Sequence, residues 1–217
     1  MQPFTVDREV RAMEEIATAL FPTLVKLALS GKHAGICSLS VTSERTGREL
    51  RWRQRAEGLR SKVPSVTVTR RSGRLTTRNA DGRRGAQTYE ELEFSRFADI
   101  PDAYVGIDFP GYYRAGHRVR IALSLPERGD RIVLTRTGHC YYPLQAARAP
   151  TAAVVSVSAP FELDGERTRP LDSDSDWNSW LREQAADLAV DLVGADWFNR
   201  FGADAMLHFV RSDLRTR

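Results

Sequence analysis

The chain has 217 residues and a mass of 24.4 kDa, enough to bury a core without disulfides or metals, which excludes a mini-protein scaffold. Its 41% hydrophobic and 28% charged residues are ordinary for a globular protein, and no apolar run approaches the roughly 18 residues that would span a bilayer. The formal charge of +4 is a difference between two blocks: residues 45 to 84 carry thirteen Lys or Arg against Glu49, Glu57 and Asp81, a net of +10, so the remainder sums to −6.

The first ten residues, MQPFTVDREV, include acids and lack an apolar core with a small-residue cleavage site, so no secretory signal is expected and the expected location is cytoplasmic. From Asp7, a plausible N-cap, Val10, Met13, Ile16, Leu20, Leu24 and Leu27 recur at helical spacing up to residue 29, with a break at Pro22 and an end at Gly31. Residues 36 to 41 then alternate apolar with polar, as a half-buried strand does, and Thr46-Gly47 signals a hairpin.

In ELRWRQ (49–54) Leu50 and Trp52 share one face while Arg51 and Arg53 share the other. SVTVTRR (65–71) repeats the alternation, and Ser72-Gly73 reads as a turn toward LTTR. These are expected to be consecutive antiparallel strands with an arginine-lined outer face. Residues 79–87, NADGRRGAQ, read as a polar loop, and 89–100, YEELEFSRFADI, is ambiguous between helix and strand and is read as a short helix.

A second group of strands is expected at 118–126, 131–136, 140–144 and 152–159, separated by turn clusters at 126–130 and 145–150. The last is apolar on both parities at Val154-Val155, as a central strand would be. From Asp176, Trp177, Trp180, Leu181, Ala185, Leu188 and Leu192 form a helical stripe, and a second helix is expected from Trp197 to Arg211. The fold class is therefore α+β: a largely antiparallel sheet layered with an early helix and two C-terminal helices. The chain reads as one domain, 1–217, with a subdivision into 1–115 and 116–217 as the alternative.

Cys37 and Cys140 are far apart and outside any ligand motif, so both are expected to be reduced, buried and inert. The four histidines have no metal-ligand spacing, and Asp172, Asp174 and Asp176 lack the glycine and terminal glutamate of a calcium loop. No metal site is expected, and the three aspartates read as solvated acids ahead of a helix N-terminus. The basic block has two readings. Arg51, Arg53, Arg55, Arg70 and Arg71 could neutralise the phosphates of a nucleic acid, making the chain a binding or scaffold module. Alternatively, they are the solvent side of a sheet, since Trp52 falls on the opposite, core-facing parity.

The most specific stretch runs from Ser156 to Val193. A strand delivers Ala159-Pro160-Phe161, an Asp164-Gly165 turn follows, and Arg167 and Arg169 stand immediately beyond it, ahead of the helix opened by Trp177-Asn178. A guanidinium held there could reach a neighbouring phosphate or carboxylate, or pair internally with Glu162, Glu166 or a helix acid. The order of strand, A-P-F-x-L, three residues, Arg, then W-N at a helix start resembles the middle segment of sacsin-type proteins. These are relatives of the heat-shock-90 chaperones among the histidine-kinase-fold ATPases. Cys140-Tyr141-Tyr142-Pro143-Leu144 resembles the preceding strand there, residues 1–6 resemble the last strand leaving the nucleotide domain, and residues 21–41 resemble the leucine-rich helix and first strand after it.

That resemblance implies a transducer-type domain, without activity of its own, that contributes a basic residue to the γ-phosphate of ATP. The matching position is Arg167, with Arg169 as its neighbour. ATP and Mg are implied only with a separate ATP-binding domain, in cis or in trans, and a protein client is the implied downstream partner. The chain itself has no helical N-x-x-x-[DN] followed by D-x-G-x-G, and Asp81-Gly82 and Asp164-Gly165 lead into RRG and ERT, so no cofactor is expected in this chain alone.

Overall fold

The computed structural model describes residues 37–44, 46–128, 131–132, 138–142, 145–151, 155–166, 168–171 and 175–194. The helix expected over 7–29, the helix expected from Trp197 to Arg211, the segment 172–174 and Arg167 lie outside the described residues.

Ten strands form one sheet: β1 (Ser38–Thr42), β2 (Glu49–Leu59), β3 (Thr67–Arg78), β4 (Arg84–Asp99), β5 (Arg114–Ala115), β6 (Arg118–Arg128), β7 (Arg131–Ile132), β8 (His139–Tyr141), β9 (Gln145–Pro150) and β10 (Ser156–Ser158). Their order is β1-β2-β3-β4-β6-β10-β8-β9, with β5 and β7 also pairing β6. Every pairing is antiparallel except that of β10 with β8. Among the described residues one α-helix, α1 (Asp176–Gly194), follows. The class is α+β, as expected. Among the described residues no helix is long and apolar enough to cross a membrane.

Registers decide which side chains share a face. β3 pairs β2 and β4 without a break, placing Trp52 and Gln87 opposite Leu75, and Leu59 and Phe94 opposite Val68. Positions 68 and 75 differ in parity, so the sheet buries two apolar clusters on opposite faces. On one face Val68, Leu92, Phe94, Leu123 and Leu125 meet Trp177, Leu181, Leu188 and Leu192 of α1. This helix-covered face also holds Arg96, which donates to Asp191 (2.8 Å) and to the Gln184 carbonyl (2.9 Å). On the other face Leu50, Trp52 and Leu75 pack with Leu39, Val41 and Tyr89.

Several expectations are corrected. Residues 89–100 are not a short helix; most of them form β4, whose Leu92 and Phe94 alternate with Glu91, Glu93 and Ser95. All five are buried, because the polar side meets arginines from β3 and β6 rather than water. Ser72-Gly73 is not a turn but the middle of β3. A Cβ at Gly73 would overlap the rings of Tyr89 and Trp52, so the glycine serves close ring approach, not chain reversal. The loop expected over 79–87 contracts to a turn closed by the Asn79 N–H to Arg83 carbonyl bond (2.9 Å), with Gly82 at φ +79°. Residues 145–150 are the edge strand β9, where the terminal Pro150 withholds no ladder donor from a further strand. Cys37, just before the opposite edge strand, is exposed rather than buried, and Cys140 is half-buried.

Candidate functional site

The segment that carries the resemblance folds as one hydrogen-bonded unit. Ser175 caps α1 by accepting the Asn178 N–H on its hydroxyl (3.1 Å), and the Trp177 indole N–H donates to the Pro160 carbonyl (2.8 Å). Fully buried Asn178 accepts the Glu162 N–H (2.8 Å) and donates to the carbonyls of Glu162 (2.8 Å) and Leu171 (2.9 Å). Ser175 also hydrogen-bonds the Glu162 carboxylate. Trp177 stacks on Phe109 and Trp180, which fixes the helix start against the core.

Between these anchors the chain makes a narrow loop. Leu163 bridges Pro170, the Leu171 N–H reaches the Glu162 carbonyl (2.9 Å) and the Asp164 N–H reaches the Arg169 carbonyl (2.9 Å). The Asp164 carboxylate accepts the Thr168 N–H (2.6 Å), the Thr168 hydroxyl (2.8 Å) and the Arg169 N–H (3.3 Å). Desolvation alone would raise that carboxyl's pKa. The bonds from Thr168 and Arg169, with the Arg169 charge, outweigh it and hold Asp164 below the usual carboxylate range. Arg169 has Nε 3.6 Å from Asp164 Oδ2 and 64% of its side chain exposed. Arg167, the principal candidate, lies outside the described residues; Asp164 before it and Thr168 after it are hydrogen-bonded to each other.

The basic block divides. Arg51, Arg53 and Arg55 are exposed on β2, on the continuation of the helix-covered face beyond α1's contacts, while Trp52 is fully buried on the opposite face. Arg70 and Arg71 are committed to acids instead. Arg70 binds Glu127 through two bonds (3.1 and 2.9 Å), and Arg71 donates to Glu93 (2.9 Å). Glu93 also accepts from Arg120 (2.5 Å), whose guanidinium donates to the Tyr112 hydroxyl (2.8 Å) and lies over its ring. Burial would lower the Arg71 pKa, but Glu93 more than compensates and raises it. This network is internal neutralisation, so Arg70 and Arg71 leave the phosphate-binding set.

Three arginines absent from the expected set stand on the exposed face: Arg74 and Arg78 of β3 and Arg84 of β4. With Arg51 they line a surface cavity of about 500 Å³ that also includes Glu49 and Thr76. Continuing the strand parity through Gly73 would have found them. Among the described residues no cluster of three or more His, Cys, Asp or Glu could hold a metal ion, and Asp172 and Asp174 lie outside those residues. No family model, curated protein or solved structure matches the chain.

Proposed function

We propose that the chain is a transducer-type module, similar to the middle segment of sacsin-type proteins, that works beside a separate ATP-binding domain in the cytoplasm and acts on a protein client. The observation that carries the reading is the clasp of the 162–171 loop onto the start of α1 by Asn178 and Trp177. A loop held this way cannot shift without the helix, and the helix is tied to the sheet through Arg96. Arg167, with Arg169 beside it, is the guanidinium that meets the terminal phosphate of ATP held by the other domain. Engagement of the loop is then passed to α1 and the sheet as a rigid displacement.

The test supplies the ATP-binding domain, in trans or within a longer natural reading frame, and compares ATP turnover of Arg167→Ala and Arg169→Ala with wild type. The expected result is a strong loss for Arg167→Ala, a smaller one for Arg169→Ala and none for Arg60→Ala, an exposed arginine between β2 and β3. Unchanged turnover in Arg167→Ala removes the loop from any such mechanism.

A further inference from the structure

We propose that the arginine-lined half of the sheet is a second binding site, for the phosphodiester backbone of double-stranded nucleic acid. It is independent of the loop and of the transducer reading. Arg53 lies directly opposite Arg74, and Arg78 directly opposite Arg84, in adjacent antiparallel strands. Like charges in such pairs repel and destabilise a sheet. Where strand arginines are less exposed, the same fold gives them acid partners: Arg70 with Glu127, Arg71 and Arg120 with Glu93, Arg96 with Asp191, whereas exposed Arg114 and Arg118 lie over the rings of Phe109 and Phe97. Among the described residues Arg53, Arg55, Arg74 and Arg84 have no acid at ion-pair distance. Arg51 and Arg78 share the single carboxylate of Glu49. An array without acid partners, beside strand arginines that have them, points to an external anion.

The geometry selects the class of anion. Alternate residues on a strand are about 6.7 Å apart and neighbouring strands about 4.8 Å apart, so the guanidiniums form a two-dimensional array that matches a run of phosphates better than one isolated phosphate. Guanidinium forks bind phosphate oxygens in pairs. Proteins that hold single strands add aromatic platforms on which bases stack. Here the aromatics nearest these arginines, Trp52 and Tyr89, are on the opposite face and stack on each other with ring centroids 5.1 Å apart, and Phe94, further along β4 on the arginine side, is buried under α1. The face therefore offers phosphate contact without stacking or base-edge readout, which suits a duplex and confers no sequence preference.

The experiment measures fluorescence anisotropy of the full chain with labelled DNA and RNA duplexes about two helical turns long, the matching single strands, and unlabelled inorganic polyphosphate as competitor, over a salt series. Expected are duplex binding stronger than single-strand binding and a steep fall with salt, with a log–log slope of about −0.9 per phosphate contacted. The DNA and RNA arms decide which duplex is preferred. The triple variant Arg53→Gln/Arg74→Gln/Arg84→Gln should lose at least tenfold in affinity and flatten the salt slope by about one per arginine. Its melting temperature should equal or exceed wild type because strand repulsion is relieved. Glu49→Gln should bind more tightly. Salt-insensitive or absent duplex binding, single strands bound as well as duplexes, polyphosphate competing as well as unlabelled duplex at equal phosphate, or full affinity in the triple variant would each overturn the proposal.

Discussion

Asn178 clasps the Glu162 peptide at both ends, taking its N–H on Oδ1 and giving an Nδ2 hydrogen to its carbonyl, each at 2.8 Å. The second Nδ2 hydrogen goes to Leu171 (2.9 Å), so one buried amide closes the neck of the loop and fixes it to the first turn of α1. Asn178→Leu leaves the Glu162 N–H and the Leu171 carbonyl without this partner, at about 1–3 kcal/mol each, while the Glu162 carbonyl keeps the Leu171 N–H. A loss of at least about 2 kcal/mol in urea unfolding is expected. Asn178→Asp, which keeps the acceptor and loses both donors, should fall between leucine and wild type; a neutral Asn178→Leu would show that the loop is not held by this side chain.

Gly73 is required by the rings above it. Trp52 and Tyr89 stack at an interplanar angle of 11° over the β3 backbone, where a methyl group at position 73 would overlap both. Gly73→Ala should destabilise by about 1–3 kcal/mol, as overpacking does. In a double-mutant cycle with Tyr89→Ala the alanine at 73 should cost less than in the wild-type background, because the nearer of the two rings it strikes is gone while Trp52 remains. Additive thermal shifts in the four proteins would contradict this account.

The residues that misled a reading of the sequence are those whose partners lie far along the chain. ELRWRQ announced its faces by alternation, and the Trp177–Leu192 stripe announced α1, because in both the pattern is local. YEELEF read as a short helix, since nothing nearby reveals that Glu93 is met by Arg71, 22 residues earlier, and Arg120, 27 residues later. The same ignorance placed Arg70 and Arg71 among candidate phosphate ligands. Gly73 read as punctuation because its reason, the close approach of Tyr89, comes from a neighbouring strand. Of the candidate sites, the exposed arginines of β2 were legible, and the Asn178 clasp was not.

Glu93 is the keystone of the polar side of β4. It is fully buried and its Oε1 accepts from both Arg71 and Arg120, so Glu93→Gln strips the negative charge from between two half-buried to buried guanidiniums. Breaking a buried pair this way costs about 3–5 kcal/mol. Glu127→Gln should cost less, since its partner Arg70 keeps 31% of its side chain in solvent and can rehydrate. Chemical denaturation of the two variants should rank them in that order; a milder effect for Glu93→Gln would mean that Arg71 and Arg120 find water on rearrangement.

Alkaline pH should unfold the protein through its buried phenols. Burial pushes the Tyr113 hydroxyl, hydrogen-bonded to Ser158 at 2.9 Å, above its ordinary range despite the opposing effect of that bond. Burial likewise raises Tyr89, aided by Glu91, and Tyr112, aided by Glu93. A phenol whose folded pKa exceeds the unfolded value of about 10 keeps its proton in the native state after the unfolded chain has lost it. The stability it contributes is thus complete below about pH 10 and declines as pH rises, by about 1.4 kcal/mol per pH unit for each such phenol. Stability measured from pH 9 upward should fall with a slope that Tyr113→Phe reduces by one phenol's share. Phenolate absorbance should lag behind that of free tyrosine and rise together with the loss of circular dichroism. Ionisation of these phenols near pH 10 with the fold intact would show that water reaches them in the native sheet.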